Sequence, residues 1–282
     1  MKKCSRGLIF CVLAFSAMVF GQTPQQSQAT GTKKTIPRTP DGKPDLSGVW
    51  VGGGGLGGGF GDFSEAMELT KWGSEKFIWN RGPEAAKAAG VYRGQHVRVD
   101  QDPVYHCYPP GLVRLGPPRE TVGNGGSSAE ILQTPGQVIV VYQYRNAVRH
   151  IYTDGTEHPK HPQLTWNGHS IGKWDGDTLV ADTVGLREES WLDSAGHEHS
   201  AQLQVVERFR RVDADHLEIE RTLNDPVSLA KPFTKTVVLR LNPKYDLNEN
   251  MDGKQYDCMQ FMVRKPGFGE GEGGLLGIAD HP

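Results

Sequence analysis

Apolar and polar residues alternate in short runs over the second half of the chain, and turn residues separate these runs every 8 to 12 positions. Alternation with a period of two predicts strands, and this spacing is typical of an all-β sandwich or barrel. Most runs follow one another directly, which favours an antiparallel meander that closes on itself and leaves no free sheet edge. We predict nine strands, at residues 46–50, 137–144, 146–153, 168–174, 177–184, 203–212, 215–223, 234–241 and 256–263.

The strands at 203–212 and 215–223 each carry their apolar residues at odd positions. A register that keeps both sets on one face, with a loop at 213–215, places Glu207 directly opposite Arg221. Two interpretations stay open. The pair is either an internal salt bridge that fixes the register, or the polar clamp of a largely apolar ligand cavity.

A second hairpin is predicted at Asp175-Gly176, a dipeptide that favours a two-residue turn. This turn would place His169 opposite Asp182. The carboxylate would then either hydrogen-bond the imidazole at the end of the sheet, or orient it as a general base or behind a metal. His150 is in phase with the apolar residues of its own strand, which predicts a buried core histidine.

The residues before this β region follow different patterns. Residues 64–79 have helical periodicity, with Ser64 as the N-cap, and 83–89 form a second short helix candidate. Residues 102–118 are proline-rich and irregular. The glycine-rich stretch at 52–61 lacks the lysine and hydroxyl residue of a nucleotide-binding loop, so we interpret it as a surface loop.

The first 21 residues have the pattern of a secretory signal peptide: three basic residues, an apolar run and a small residue at the end. No later stretch has the roughly 20 apolar residues that a membrane helix needs. We therefore expect a periplasmic or secreted protein without a transmembrane segment in the mature chain. The expected organisation is a signal peptide at 1–21, a flexible linker at 22–44, one β-barrel-like domain at 45–264 and a flexible glycine-rich tail at 265–282.

Charge and cysteine content narrow the functional class. Removal of the signal peptide would change the formal net charge from −2 to −5, which argues against a nucleic-acid partner. Cys107 and Cys258 would be the two remaining cysteines. In an oxidising compartment such a pair favours a disulfide, with a free or metal-bound pair as the alternative.

Five of the ten histidines fall between residues 158 and 199, mainly in "DGTEHPKHP" and "AGHEHS". His197 and His199 would project to the same side of a strand, as a metal site requires. The glutamate that follows such a pair in cupins is missing, because Glu207 is eight residues further on. Glycine and proline beside these histidines indicate loops, so we expect neither a metal nor a cofactor.

Two resemblances add to this pattern. Gly48-Val49-Trp50 is similar to the Gly-x-Trp of the first lipocalin strand, where the tryptophan closes one end of the barrel. The segments "PDLSGVW", "GHSIGKWDGDTLVADTVG" and "WLDSAGHEHS" resemble a family of exported bacterial proteins without an assigned activity. Relatives often have proline at the position of Glu198. The resemblance implies these shared positions: Asp154, His158, Trp191, Asp193, His199, Ser200 and Glu207.

Together these features predict a lipocalin-like barrel with a helical and proline-rich segment across one end. The leading hypothesis is a cavity that binds a small, largely apolar molecule. The alternative is a cofactor-independent hydrolase, isomerase or lyase, with His199 beside Asp193 or His169 beside Asp182 as the acid-base pair. The candidate ligand-binding residues are Glu207 and Arg221 inside the cavity, and Trp191, Asp154, His158 and Ser200 in the loops at its rim.

Overall fold

Nine strands form one closed barrel in the computed structural model, which describes residues 35–52, 67–81, 102–106, 108–115, 128–143, 146–193 and 195–247. The strands follow chain order around the barrel, and the last strand pairs with the first, with Trp50 opposite Leu241. The predicted closed all-β meander is therefore confirmed. The strands are β1 (Gly48–Gly52), β2 (Ala129–Thr134), β3 (Gln137–Tyr142), β4 (Val148–Tyr152), β5 (His169–Asp175), β6 (Thr178–Val184), β7 (Gln204–Arg211), β8 (His216–Asn224) and β9 (Phe233–Leu241).

The nine observed strands are not the nine predicted ones. β2 was not predicted as a strand, although it pairs with both β1 and β3. The predicted strand at 256–263 lies outside the described residues. The turn signal before β3 is clear in retrospect, because Gly136 takes a φ of 80° that glycine tolerates without strain.

One strand pair departs from the antiparallel meander. β4 and β5 run parallel, with Ile151 opposite Ser170 and Tyr152 opposite Ile171. The connection at 153–168 must therefore travel from one end of the barrel to the other. We call the end with the β2–β3, β5–β6 and β7–β8 turns end A, and the opposite end, with the β6–β7 and β8–β9 connections, end B.

Alternating side chains fill the barrel interior. β8 shows the pattern clearly, because every second residue from Leu217 to Leu223 is buried. The main core cluster also includes Trp50, Leu179 and Phe209, all from different strands. The interior is thus largely packed with side chains.

End A is closed by the chain that leads into β1. The indole Nε1 of Trp50 donates to the carbonyl of Leu46 at 2.8 Å, and the guanidinium of Arg211 lies 5.2 Å from the centre of the indole ring. Arg211 also donates to the carbonyls of Asp45 and Ala214. These contacts hold the strand entry and the β7–β8 turn together.

The segment before Leu46 packs on the same end. Arg38 pairs with Asp177 in the β5–β6 turn through two hydrogen bonds of 2.8 and 2.6 Å, and the amide of Leu46 donates to Gln133 Oε1 at 2.8 Å. Residues 37–44, which the sequence analysis assigned to the linker, therefore contribute contacts to the fold.

Helix α1 (Lys71–Arg81) packs at end B. It begins after Thr70, whose Oγ1 accepts the amide proton of Gly73 at 3.1 Å and so acts as the N-cap. Residues 67–70 are not helical, because Leu69 forms a bridge with Leu229, so the predicted start near Ser64 is wrong. Ser64 itself lies outside the described residues.

A second apolar cluster covers the barrel at end B. It combines Leu112 from a short 3-10 helix (Leu112–Arg114) with Leu192 from the β6–β7 connection and Leu223 at the end of β8. Asp102 and Arg114 form a buried ion pair of 2.7 Å beside it. The predicted proline-rich segment thus lies across one end of the barrel.

Several predicted features lie outside the described residues: the signal peptide, the helix at 83–89, most of the glycine-rich stretch, the tail, and both Cys107 and Cys258. The disulfide remains a prediction. Among the helices that the structure describes, none is long and apolar enough to cross a membrane.

Candidate functional site

Glu207 and Arg221 form the cross-strand pair that the register predicted. They are directly opposite each other on β7 and β8, and only 1% and 3% of their surfaces are exposed. Arg221 Nε donates to Glu207 Oε1 at 2.9 Å, while Arg149 from β4 donates to Oε2. The sequence did not predict Arg149, which also donates to Ser170 Oγ and Thr183 Oγ1.

This ion network keeps its central carboxylate charged. Burial alone would raise the pKa of Glu207, but the two guanidinium groups of Arg149 and Arg221 and their hydrogen bonds outweigh burial and lower it to about 2. Both carboxylate oxygens are occupied by arginine. The contacts therefore favour the internal salt bridge over the polar clamp of a ligand cavity.

The network also connects the barrel to its cover at end B. Arg221 donates to the carbonyl oxygens of Val113 at 2.8 Å and Leu115 at 3.4 Å. A buried arginine thus satisfies backbone acceptors of an irregular segment that has no strand partner. Its role in the described structure is to fix this segment over the barrel.

The carboxylate of Asp193 pairs with His197, and the predicted pair with His199 is not formed. His197 Nδ1 lies 2.7 Å from Asp193 Oδ2, and the other oxygen accepts the amides of Ala195 and His197. The ring of Phe77 on α1 stacks on His197 at 4.1 Å with an angle of 11°. No described residue hydrogen-bonds Nε2 of His197.

His199 contacts a serine instead. Its Nδ1 donates to the carbonyl of Ser200 at 2.9 Å, and its Nε2 lies 2.8 Å from Ser190 Oγ. Burial lowers the pKa of His199, so the ring is neutral and Nε2 is an acceptor for the Ser190 hydroxyl proton, which is shared with the carbonyl of Arg187 at 3.1 Å. A Cβ on Gly111 would lie 2.5 Å from Ser190 Oγ, so backbone packs directly against this hydroxyl. Ser190 and His199 are both buried, so their contact is a hydrogen bond of the protein core.

The rest of the 190–200 loop holds helix α1. Asn80 donates to the carbonyl of Gly196 at 3.0 Å and to Glu198 Oε1 at 2.8 Å, and Lys76 lies 3.1 Å from Glu198 Oε2. Trp191 is buried and forms a bridge with Glu198. Ser200 donates through its amide and its hydroxyl to Asp225, at 2.6 and 2.9 Å.

The predicted register of the β5–β6 hairpin is wrong by two residues. His169 lies opposite Val184 because Asp175 pairs with Thr178, and the turn residues are Gly176 and Asp177. Gly176 has a φ of 57°, which suits the first position of the tight turn. Side chains keep their predicted faces after a shift of two residues, but His169 and Asp182 are not direct partners.

His158, His169 and Asp182 meet on the outer face of this hairpin. His158 Nδ1 lies 3.0 Å from His169 Nδ1, and His158 Nε2 lies 3.8 Å from Asp182 Oδ2. Gln204 donates to both oxygens of Asp182. Tyr152 stacks on the ring of His169 at 5.7 Å. His158, which the sequence predicted only as a residue of the cavity rim, therefore lies between His169 and Asp182.

Two more predicted residues lie on the surface. Asp154 accepts the amide and the hydroxyl of Thr156 at 3.0 and 2.6 Å in an exposed turn. His150 is exposed on the barrel exterior, so the predicted core histidine is wrong. Its neighbour Arg149 occupies the interior instead.

A cavity of about 290 Å³ lies at end A. Val138 and Trp174 line it from the strands, Thr153 lines it just after β4, and residues 39–41 line it from the segment that packs on this end. Lys43 Nζ lies 5.7 Å from the centre of the Trp174 ring. The sequence contained a signal for Trp174, because it is in phase with the inward-facing Ser170 and Gly172.

A second cavity of about 420 Å³ lies between the outer faces of β1, β2 and β3 and residues 243–247. Its lining is more polar and includes Glu130, Gln143 and Tyr245. The Tyr245 hydroxyl donates to Gln143 Oε1 at 3.1 Å, which joins the chain after β9 to the end of β3.

Neither a cluster of metal-binding side chains among the described residues nor similarity to known proteins indicates where the functional site lies. Across the described part of the chain, no group of three or more His, Cys, Asp or Glu side chains could hold a metal ion. No protein-family model matches the chain, and comparisons with curated proteins and with solved structures gave no significant match.

Proposed function

We propose that this protein is an exported binding protein for a small, largely apolar molecule, and that the ligand occupies the end A cavity. The observation that carries the proposal is the cavity itself, in which the Trp174 ring, Val138 and the 39–41 segment face the same space. Ligand cavities combine apolar and aromatic walls with a few polar groups that fix orientation.

The size and lining of the cavity define the ligand class. At about 290 Å³ it lies near the lower end of the range for small-molecule sites, about 300–1,000 Å³. Trp174 offers a flat surface on which a ring can stack. The Thr153 hydroxyl and the side-chain amide nitrogen of Gln133 could donate hydrogen bonds to a ligand, whereas the Thr39 and Thr134 hydroxyls already donate to Asp41 and to the carbonyl of Gln137. These features favour a compact molecule with one flat apolar part and one or two polar atoms.

The centre of the barrel is less suitable for a ligand. Glu207 is already paired with Arg149 and Arg221, and a ligand there would have to displace a buried, charge-assisted network. The predicted ligand contacts Glu207 and Arg221 are thus assigned a structural role. The cavity at end A replaces them as the proposed site.

The first test is chemical. Mature protein purified from cells is extracted with organic solvent, and the extract is compared by mass spectrometry with that of a Trp174→Ala variant. We expect a compound that copurifies in a fixed ratio with the natural protein and is depleted from the variant. Trp79→Ala is the matched control, because 67% of Trp79 is exposed on α1. Equal amounts in all three extracts would overturn the proposed site.

Export is tested separately. The leader at residues 1–21 supports it, and the proposal expects that the chain recovered from the periplasm or medium begins at Gln22. Recovery of an uncleaved chain in the cytosol would contradict export without affecting the cavity.

A second candidate function is acid-base catalysis by His197. The observation that favours it is the 2.7 Å contact of Nδ1 with Asp193, which orients the ring and leaves the Nε2 lone pair to accept a proton from water or substrate. The probe is the hydrolysis of p-nitrophenyl acetate by the natural protein and by Asp193→Asn and His197→Asn. We expect both variants to lose the activity and the exposed control His150→Asn to retain it. Equal rates in all four proteins would exclude this function.

A further inference from the structure

The second cavity lies on the outside of the barrel, under the chain that follows β9. We call residues 242–247 the arch. At one end of the arch, the amide of Asn242 donates to the carbonyl of Val49 on β1 at 2.8 Å. At the other end, the side-chain amide of Gln143, just after β3, donates to the carbonyl of Leu247 at 3.3 Å. The arch is therefore fastened at both ends, and about 420 Å³ of space lies between it and the barrel wall.

Glu130 lies in the wall of this cavity between two valines. On β2 it is directly opposite Val49 of β1 and Val141 of β3, and all three residues line the cavity. Its neighbours Ala129 and Ile131 are buried inside the barrel, so the alternation of the strand directs the Glu130 side chain outwards. The wall thus presents one carboxylate flanked by apolar side chains.

The Glu130 carboxylate has no partner among the described residues. Neither a hydrogen bond nor an ion pair joins it to a described side chain or to the backbone, although the residue is half-buried. A carboxylate between apolar side chains loses part of its hydration, and a hydrogen-bond donor or a positive charge offsets that loss. A cationic ligand would supply both.

The remaining lining also suits a cation that carries an apolar part. Among the described residues that line the cavity, Glu130 and Asp246 are acidic and Lys244 is basic, so acidic side chains are in excess. Tyr245 adds an aromatic side chain, and aromatic rings attract cations through their faces. Val49 and Val141 offer apolar contacts to the carbon part of a ligand.

We propose that the cavity under the arch binds a small organic cation, with Glu130 as its counter-ion. An ammonium group has three donors for the two carboxylate oxygens, and such charge-assisted hydrogen bonds are stronger than neutral ones. The volume of about 420 Å³ lies within the range of small-molecule sites, about 300–1,000 Å³. This cavity shares no lining residue with the end A cavity, so the proposal does not depend on the ligand proposed there.

The probe is phenethylamine, which combines an ammonium group with a flat apolar ring. Isothermal calorimetry measures its binding to the mature protein and to Glu130→Gln. We expect one site per chain and an affinity at least about 10-fold lower in Glu130→Gln, because a charge-assisted hydrogen bond is replaced by a neutral one. Glu220→Gln is the matched control and should bind like the natural protein. Glu220 is also half-buried on the outer face of the barrel, but it lines neither cavity.

Phenethyl alcohol shows whether the positive charge is recognised, since it differs from the amine only in its polar group. It should bind at least about 10-fold more weakly than the amine to the natural protein. Circular dichroism of each variant verifies that it is folded.

Amide shifts in nuclear magnetic resonance spectra separate this site from end A. Phenethylamine should shift Val49, Glu130, Val141 and Tyr245, and Trp174→Ala should bind it like the natural protein. The proposal is overturned if the natural protein does not bind the amine saturably, if Glu130→Gln binds it as tightly, if the alcohol binds as tightly as the amine, or if the shifts lie at end A.

Discussion

Glu207 remains ionised inside the barrel because two arginines share its carboxylate. Its pKa of about 2 lies below the ordinary value of 4.5, so the folded state binds this proton less readily than the unfolded state does. The network therefore contributes stability above about pH 4.5, and this contribution is lost as the pH falls towards 2. At neutral pH it amounts to about 3 kcal/mol, from the size of the pKa shift.

The first prediction concerns the pH dependence of this contribution. The free energy of unfolding of the natural protein should fall steeply between about pH 5 and 2.5, since Glu207 must be protonated there on unfolding. Urea unfolding at successive pH values measures the slope. Glu207→Gln should be destabilised at pH 7 and should have a shallower slope, whereas the more exposed Glu218→Gln should behave like the natural protein. Equal slopes for the natural protein and Glu207→Gln would contradict the prediction.

These residues show when alternating apolar positions predict the inward face of a strand and when they do not. The alternation placed Glu207 opposite Arg221, because apolar neighbours on both strands marked the inward face. The same pattern gave the wrong face for β4, because the inward residue Arg149 is charged and a charged residue is normally assigned to the outer face. The outward position was therefore assigned to the core, and His150 was predicted to be buried. A buried charge breaks the rule by which the face of a strand is recognised.

Helix α1 depends on a close approach of two backbones. A Cβ on Gly73 would lie 2.3 Å from the carbonyl oxygen of Ser228, so the helix can pack here only with glycine. Thr70 donates its hydroxyl to the carbonyl of Val227 beside this contact. The helix further along is held by the stacking of Phe77 on His197.

The second prediction follows from this contact. Glycine to alanine inside a helix normally stabilises by about 1 kcal/mol. Gly73→Ala should instead destabilise the protein by about 1–3 kcal/mol, because α1 must move away from Ser228. Urea unfolding gives the free energy, and the ring resonances of His197 report the loss of the Phe77 stack. Glu75→Ala, on the exposed side of α1, is the control and should change stability by less than about 0.5 kcal/mol. A stabilised Gly73→Ala would show that the helix does not depend on this contact.

At the level of elements, the strands were more predictable than their neighbours. The seven strands from β3 to β9 were predicted from the alternation of apolar and polar residues. β2 has only a short alternating stretch and was not predicted. The parallel β4–β5 pair could not be predicted, because the 153–168 connection has no helical pattern that would announce a crossover. The β5–β6 register was missed because the glycine takes the first position of the turn, which moves every pair by two.

The two ends of the barrel are closed in different ways. Apolar residues of the 102–115 segment and of the β6–β7 connection cover end B, and Arg221 donates to the carbonyls of Val113 and Leu115 in the first of these. At end A, Arg211 joins the chain before β1 to the β7–β8 turn and packs over Trp50. Arg211 is therefore a central contact in the closure of end A, beside the Arg38–Asp177 pair and the Leu46–Gln133 hydrogen bond.

The third prediction tests this closure. Arg211→Met should lower the free energy of unfolding by about 2–4 kcal/mol, because carbonyl acceptors lose their donor and the Trp50 ring loses its cation. Thermal unfolding and indole fluorescence measure stability and the environment of the ring. Arg210→Met is the matched control, because the adjacent Arg210 forms a surface pair with Glu218 and should contribute less than about 1 kcal/mol. A similar decrease in the free energy of unfolding in Arg211→Met and Arg210→Met would contradict a specific role of Arg211 in closing end A.

The candidate site was only partly predictable from sequence. From the sequence, the 154–162 and 191–200 loops were both expected at the rim of one cavity, but the second loop packs against α1 and Asp225 at end B. The cavity lies at end A, and its walls combine residues that are more than 130 positions apart, such as Thr39 and Trp174. Such a combination depends on how the barrel closes, which local patterns do not encode.

The end A binding site is tested most directly by locating a bound apolar probe with nuclear magnetic resonance. Anilinonaphthalene sulfonate is titrated into isotope-labelled mature protein, and the amide shifts are followed residue by residue. Binding at end A predicts saturable shifts for the non-proline residues of 39–41 and 133–138 and for Thr153 and Trp174, and their loss in Trp174→Ala but not in Trp79→Ala. Shifts centred on the 191–200 loop, or equal shifts in both variants, would contradict the claim that end A is the binding site.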